Sequence, residues 1–222
     1  TDILRVVVKN IRNKIISLGG EIRFSNKLIG IETDKNSVSA VKVLSNDGEY
    51  TLSCRDLILA IGHSARDTFS MLKCLGIEMV RKPFAVGVRI EHKQSDINRA
   101  LYGDFSDSPY LPAADYKLAT HLENGRGVYT FCMCPGGFVV NASSEENRLA
   151  VNGMSYSARN SENANSAVLT EVNPSDFEGD DVLAGVRFQR DLESKAFSLA
   201  KGQGIPVQTL GSFLHGKECE AT

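Results

Sequence analysis

The 222-residue chain balances 25 lysines and arginines against 27 aspartates and glutamates, so its net charge of −2 gives no electrostatic case for nucleic acid or an anionic membrane. Apolar residues make up 42%, enough for a core in one or two domains, and no apolar run approaches the about 18 residues of a membrane helix. Five cysteines, an odd number without a secretion pattern behind Thr1, point to reduced thiols in the cytoplasm rather than a disulfide framework.

Asp2 is placed to cap a helix over residues 3–17, whose Ile3, Val7, Ile11 and Ile15 recur four apart on one face. Gly19-Gly20 ends it. Residues 21–24 then read as a strand, followed by a meander of strands over 27–33, 37–44 and 49–53, with Asn46-Asp47-Gly48 as a hairpin signal. Residues 57–61 form a continuous apolar run between Asp56 and Gly62, the pattern of a strand covered on both faces as in a parallel α/β sheet. Ser64 and Asp67 are suited to cap a helix over 68–75, and ligands of open α/β folds bind at such a carboxyl edge. Gly62, having no Cβ, would let a ligand approach the backbone there; an ordinary strand-to-helix turn has the same spacing.

Helix signals thin out beyond residue 76. Strands are predicted over 84–92, 127–134, 137–142 and 149–154, the second and third pairing across Pro135-Gly136. Residues 160–165 and 173–181 read as polar loops, and 182–202 as a helix with Phe188, Leu192, Ala196 and Leu199 on one side. The second half is therefore expected to be a mainly antiparallel domain. No internal repeat is visible.

The order helix, strand, meander, then an Ala60-Ile61-Gly62 turn resembles the middle of flavoproteins of the glutathione-reductase type, in which Ile61 would be threonine. GHSARDTF (62–69), KPFAVGVRIEH (82–92), LPAADYKL (111–118), GRGVYTFCMCPGG (125–137) and NGMSYSARNSENANSA (152–167) look like the bacterial group of uncharacterised FAD-dependent dehydrogenases. That resemblance covers essentially the whole chain. It implies an α/β fold, α+β within this chain: a partial FAD-binding dinucleotide fold (1–75), an inserted antiparallel substrate domain (76–215), and a return to the first domain from 216. By the same resemblance Lys27 and Leu28 would lie near adenine, and Ala60, Ile61, Gly62 and His63 near the phosphates or ribose. The Gly-x-Gly-x-x-Gly turn that would hold the pyrophosphate is absent from this sequence. The chain is thus expected to be an internal piece of an FAD-dependent oxidoreductase, inactive and binding FAD weakly or not at all by itself. NAD(P) is open as an electron partner, the substrate is an unspecified small molecule, and the oligomeric state is not legible. The alternative is a non-catalytic module that binds a ligand or protein on the same scaffold.

Chemistry can be sought in four places. Cys132-Met133-Cys134 offers two buried small hydrophobes, a redox dithiol near the flavin, or half a metal site. Strand alternation would put both sulfurs on one face. No second pair completes a zinc pattern, since His215 and Cys219 are wrongly spaced, so no metal is expected. Arg89 presents a fork for a substrate carboxylate or, with Glu91, an ion pair to a neighbouring strand; His92, and less directly His63, could relay protons or make structural hydrogen bonds. Residues 152–159 and, after them, 163–166 are dense in uncharged hydrogen-bonding groups and are expected to lie in a loop, with Arg159 and Asn165 facing a pocket. Asp115, Tyr116 and Lys117 are read as solvated.

Overall fold

The computed structural model describes residues 2–216, which divide into two compact units. The first comprises Asp2–Arg81 with Gly179–Val186; the second comprises Lys82–Glu178 with the segment from Arg187 onward. All sheets of the described residues are antiparallel, so the chain is α+β. No helix among them is long and apolar enough to cross a membrane.

In the first unit, α1 (Asp2–Ser17) is closed by Gly20, whose N–H donates to the Ile15 carbonyl. A meander follows: β1 (Lys27–Asp34), β2 (Ser37–Ser45) and β3 (Gly48–Ser53), in that spatial order. The central strand β2 supplies most of the core through Ala40, Val41 and Val43; Leu72 of helix α2 (Arg66–Cys74) and Ala184 are buried in the same unit. The apolar face of α1 is present as predicted but exposed, Ile11 by 55%.

Two expected strands of this unit do not form. Residues 57–61 carry no ladder, because an apolar run signals burial whereas a strand needs a neighbour, and none of the described strands runs beside it; Ile58 is 90% exposed. Residues 21–24 are held instead by side chains, Arg23 bridging Glu21 and the Tyr50 hydroxyl. Nor do Ser64 and Asp67 cap α2. Ala65 is the N-cap residue and makes no side-chain cap, while Asp67 lies within the first turn, accepts from the Thr68 N–H and pairs with Lys27.

The second unit is built on a four-stranded sheet of order β4-β9-β6-β5, from β4 (Phe84–Lys93), β5 (Ala119–His121), β6 (Gly127–Cys134) and β9 (Asn163–Val172). Strand β9 is internal and pairs with β4 from Phe84↔Val172 to Lys93↔Asn163. The expected loop at 163–166 is thus the start of a central strand. Strands β7 (Gly137–Asn141) and β8 (Val151–Ser155) pair with each other, not β7 with β6 as the Pro135-Gly136 turn suggested. Helix α3 (Gln94–Tyr102), unpredicted, follows β4 directly. Helix α4 (Ala184–Leu199), as expected from its period, packs Phe188 against Phe84 and Phe177 with ring centroids 6.0 and 6.2 Å away. Its Arg190 grips Glu145 at 2.5 Å, while the Leu149 N–H donates to the Glu193 carbonyl, fixing the β7–β8 connection. A short helix α5 (Leu210–His215) follows. The expected return from 216 lies, beyond Gly216, outside the described residues.

Candidate functional site

The centre of the second unit is a cation surrounded by neutral acceptors. Arg89, on β4, projects to the face it shares with Asn165 of β9. Its Nη1 donates to Asn165 Oδ1 and, at 3.9 Å, faces the Cys134 sulfur; its Nη2 donates to the Cys132 carbonyl and to Asn152 Oδ1, each at 3.2 Å. No carboxylate pairs with it among the described residues. The Glu91 alternative does not form, since Glu91 Oε1 accepts from Asn163 Nδ2 at 2.9 Å. Asn165 is wholly buried, and its Nδ2 has no partner among the described residues.

A β-bulge shapes this cluster. Phe131 pairs with Ala167 and Cys134 with Asn165, so β6 spends one residue more than β9 between those rungs. Cys132 takes φ +49°, the left-handed conformation that absorbs the extra residue. The bulge overturns the expectation of both sulfurs on one face: Cys132 is exposed and Cys134 buried. Burial pushes the Cys134 thiol up, only partly opposed by the Arg89 guanidinium. Its S–H donates to the Cys132 carbonyl at 3.3 Å, an arrangement of a protonated thiol rather than a ready thiolate.

Above the cluster opens a cleft of ≈ 370 Å³ between residues 133–135 on one side and 153–157 with Arg159 on the other. Gly153 separates cleft from cluster. A Cβ there would stand 2.6 Å from Arg89 Cζ and closer still to Nη1 and Asn165 Oδ1, so only glycine fits over the guanidinium. The Ser155 hydroxyl donates to the Pro135 carbonyl at 2.7 Å and ties the two walls together. Arg159 is exposed at the cleft, at φ +50°, its N–H donating to the Tyr156 carbonyl. Among the described residues, no acidic side chain lines this cleft.

Of the candidate site residues, Arg159 and Cys134 line the cleft and Asn165 lies beneath it, while Gly153, which the sequence did not single out, also lines it. His92 does not join them: three residues from Arg89 on β4, it faces the other side of the sheet. There its Nε2 meets the Tyr116 hydroxyl at 2.7 Å, and its Nδ1 is buried without a partner among the described residues. Tyr116 is therefore half-buried rather than solvated. Desolvation raises its phenol above the ordinary value, opposed by a hydrogen bond with the Ser166 hydroxyl. Sequence reasoning missed Gln94. Its Nε2 donates to the Ala114 carbonyl at 2.9 Å and to Asn98 Oδ1 at 2.8 Å, and its Oε1 accepts from the Gly136 N–H at 2.8 Å, clamping the turn that leads from Cys134. A glutamine at a strand–helix junction carries no signal of such a role.

In the first unit, one of the residues expected beside FAD is drawn to the start of α2. Lys27, opening β1, reaches Asp67 in the first turn of α2 with an Nζ–Oδ2 separation of 2.5 Å, and Asp67 is held below the usual carboxylate range by that contact. Four residues before α2, Gly62 has φ +69° and open space where a Cβ would stand. His63 Nε2 lies 3.2 Å from the Ser64 hydroxyl. Leu28 is opposite Val43 in the meander, and a hollow of ≈ 420 Å³ bounded by Ser25, Asn26, Leu44, Ser45 and Asn46 adjoins Lys27.

Residues 83–222 match the family described as FAD-dependent protein, C-terminal domain-like. The chain belongs to this family. A relative from Clostridium beijerinckii, described as an uncharacterized protein, is 50% identical over 216 residues, which are 96% of this chain and 40% of that protein. The chain thus spans less than half the length of that family relative. The residues present leave room for a share in an FAD site at two places: Lys27 lines the hollow, and Gly62 has open space where a Cβ would stand. No glycine-rich phosphate turn is among its residues.

Proposed function

We propose that this chain is part of an FAD-dependent oxidoreductase, a dehydrogenase whose adenosine side is lined by Lys27, Leu28 and Ala60 to His63 and whose second unit is the substrate domain. The observation that carries the reading is the Lys27–Asp67 contact, which draws the start of β1 to the start of α2, just after the Gly62 turn. These are the two segments that the resemblance to flavoproteins of the glutathione-reductase type implies would border the cofactor. The flavin, when bound, supplies hydride or electron transfer. This chain's own residues bind and orient. Gly62 leaves room for close approach of the dinucleotide, Lys27 offers a cation at its edge, and the cleft above Gly153 receives the substrate. Cys134, kept protonated by burial, contributes packing and a donor rather than a redox dithiol. NADH or NADPH would act as electron partner, and the cytoplasm would be the compartment.

The test is the visible flavin absorbance of the whole gene product that carries this chain, as wild type, Gly62→Val and Gly62→Asn. Asparagine tolerates the positive φ and valine does not, so the pair separates backbone strain from obstruction. Both variants should lose flavin while their far-ultraviolet circular dichroism stays native. Unchanged flavin content in the asparagine variant would remove Gly62 from the cofactor edge. No flavin in the wild type would leave the ligand-binding module as the better reading.

A further inference from the structure

Two arginines at one cleft lack acidic partners among the described residues. Arg89 lies directly beneath Gly153, half-buried, its donors spent on an amide oxygen of Asn165, another of Asn152, a carbonyl and a thiol. Those contacts hold the guanidinium in place without neutralising it, and a half-buried charge is screened less than one in water. Arg159 is exposed at the same cleft; among the described residues its guanidinium has no ion-pair partner, and no carboxylate lines the walls. The remaining lining is small and polar or apolar, with Ser155, Ser157 and Tyr156 beside the two methionines.

We infer that the cleft between residues 133–135 and 153–159 binds a small oxyanion, the carboxylate or phosphate group of the substrate, with Arg159 as the direct ligand and Arg89 as a fixed positive charge below the floor. The planar fork of Arg159 matches two oxygens of either group. Arg89 is a positioning residue: it touches no ligand and acts by its charge through the gap that Gly153 leaves. This inference rests on the reading of the cleft as the substrate seat. It does not depend on FAD, because every residue it uses belongs to the second unit.

The experiment is isothermal titration of the 222-residue chain with sodium acetate and, separately, inorganic phosphate, at ionic strength held constant with sodium chloride. One saturable site is expected for at least one probe. Acetate alone assigns a carboxylate, phosphate alone a phosphate group. Arg159→Gln should weaken that binding about tenfold or more, as loss of a charge-assisted pair does, and Arg159→Lys should fall between, keeping charge but losing the fork. Lys117→Gln, an exposed cation outside the cleft, should leave the affinity unchanged. Among the described residues the Arg159 guanidinium makes no hydrogen bond or ion pair, and its backbone N–H bond to Tyr156 survives substitution, so these variants keep the fold. No saturable binding, or equal weakening by Arg159→Gln and Lys117→Gln, overturns the inference. Because the flavin test reads a different unit, anion binding without flavin, or flavin without anion binding, tells which of the two readings fails.

Discussion

Gln94→Ala tests how the cleft wall is held. Gln94 is only 7% exposed, and its carboxamide satisfies two buried backbone groups at once, the Gly136 N–H and the Ala114 carbonyl. Truncation to alanine leaves both without that partner, and each unmet buried group costs about 1–3 kcal/mol. Asn98 is less affected, since its Oδ1 also accepts from the Ala114 N–H at 3.0 Å. The expected loss is therefore about 2–6 kcal/mol, a large share of the about 5–15 kcal/mol by which a typical protein is stable. At a urea slope of about 2 kcal/mol/M, the midpoint should fall by about 1–3 M. Gln94→Leu, which restores volume but no polar group, should recover little of it. Gln94→Glu keeps an acceptor for Gly136 but buries a charge facing the Ala114 carbonyl, and should do no better. The assay is urea unfolding followed by circular dichroism, with signals from the second unit fitted by themselves. A change under about 0.5 kcal/mol for Gln94→Ala, in the range of an ordinary surface substitution, would refute the reasoning and mean that these groups find other partners.

Two further outcomes follow from the electrostatics. Asp176 receives both Arg126 guanidinium nitrogens at 2.7 Å and the Asn173 N–H, which lower its carboxyl from 3.8 to about 2. The folded value lies below the unfolded one, so its contribution is complete above about pH 4 and disappears as pH falls toward about 2; Asp176→Asn should flatten that part of a melting-temperature-against-pH curve. A brief iodoacetamide treatment at neutral pH, read by peptide mass mapping, should label exposed Cys132 and Cys74 well before buried Cys134. Equal rates at 132 and 134 would restore the dithiol reading.

The first unit was legible where local signals decide structure. The four-residue spacing of Ile3, Val7, Ile11 and Ile15 specifies α1 whether or not anything covers it, and Asn46-Asp47-Gly48 closes a hairpin from its own backbone preferences. The run 57–61 fails for the complementary reason. Hydrophobicity says that a segment is to be covered, but a ladder is a property of two segments, and the second cannot be read from the first. Helix α3 escaped because its N-cap residue is Lys93, which makes no side-chain cap, so no start signal marks it. The bulge escaped because its left-handed residue is Cys132 rather than a glycine. Arg159 and the cleft motif were legible as a dense polar segment following the strand predicted over 149–154, which forms as β8.

Strand β9 is the case in which the obstacle and the function coincide. A stretch of strand buried on both faces is ordinarily an apolar run, and Ala164 to Ala167 are all buried, yet β9 begins Asn163-Ala164-Asn165-Ser166, with Asn165 and Ser166 fully buried. Read for propensity, these residues are turn formers. Read in the fold, Ser166 donates its hydroxyl to the Ala167 carbonyl, and Asn165 Oδ1 accepts from Arg89. An apolar residue at 165 would remove an orphaned buried Nδ2, whose cost is about 1–3 kcal/mol, and would satisfy the strand rule as well. It would also free the Arg89 guanidinium from the position beneath Gly153 that the cleft needs. Sequences violate local rules mostly where a site requires it. The polar half of β9 thus misled the reading of secondary structure for the same physical reason that makes it the strongest pointer to the cleft.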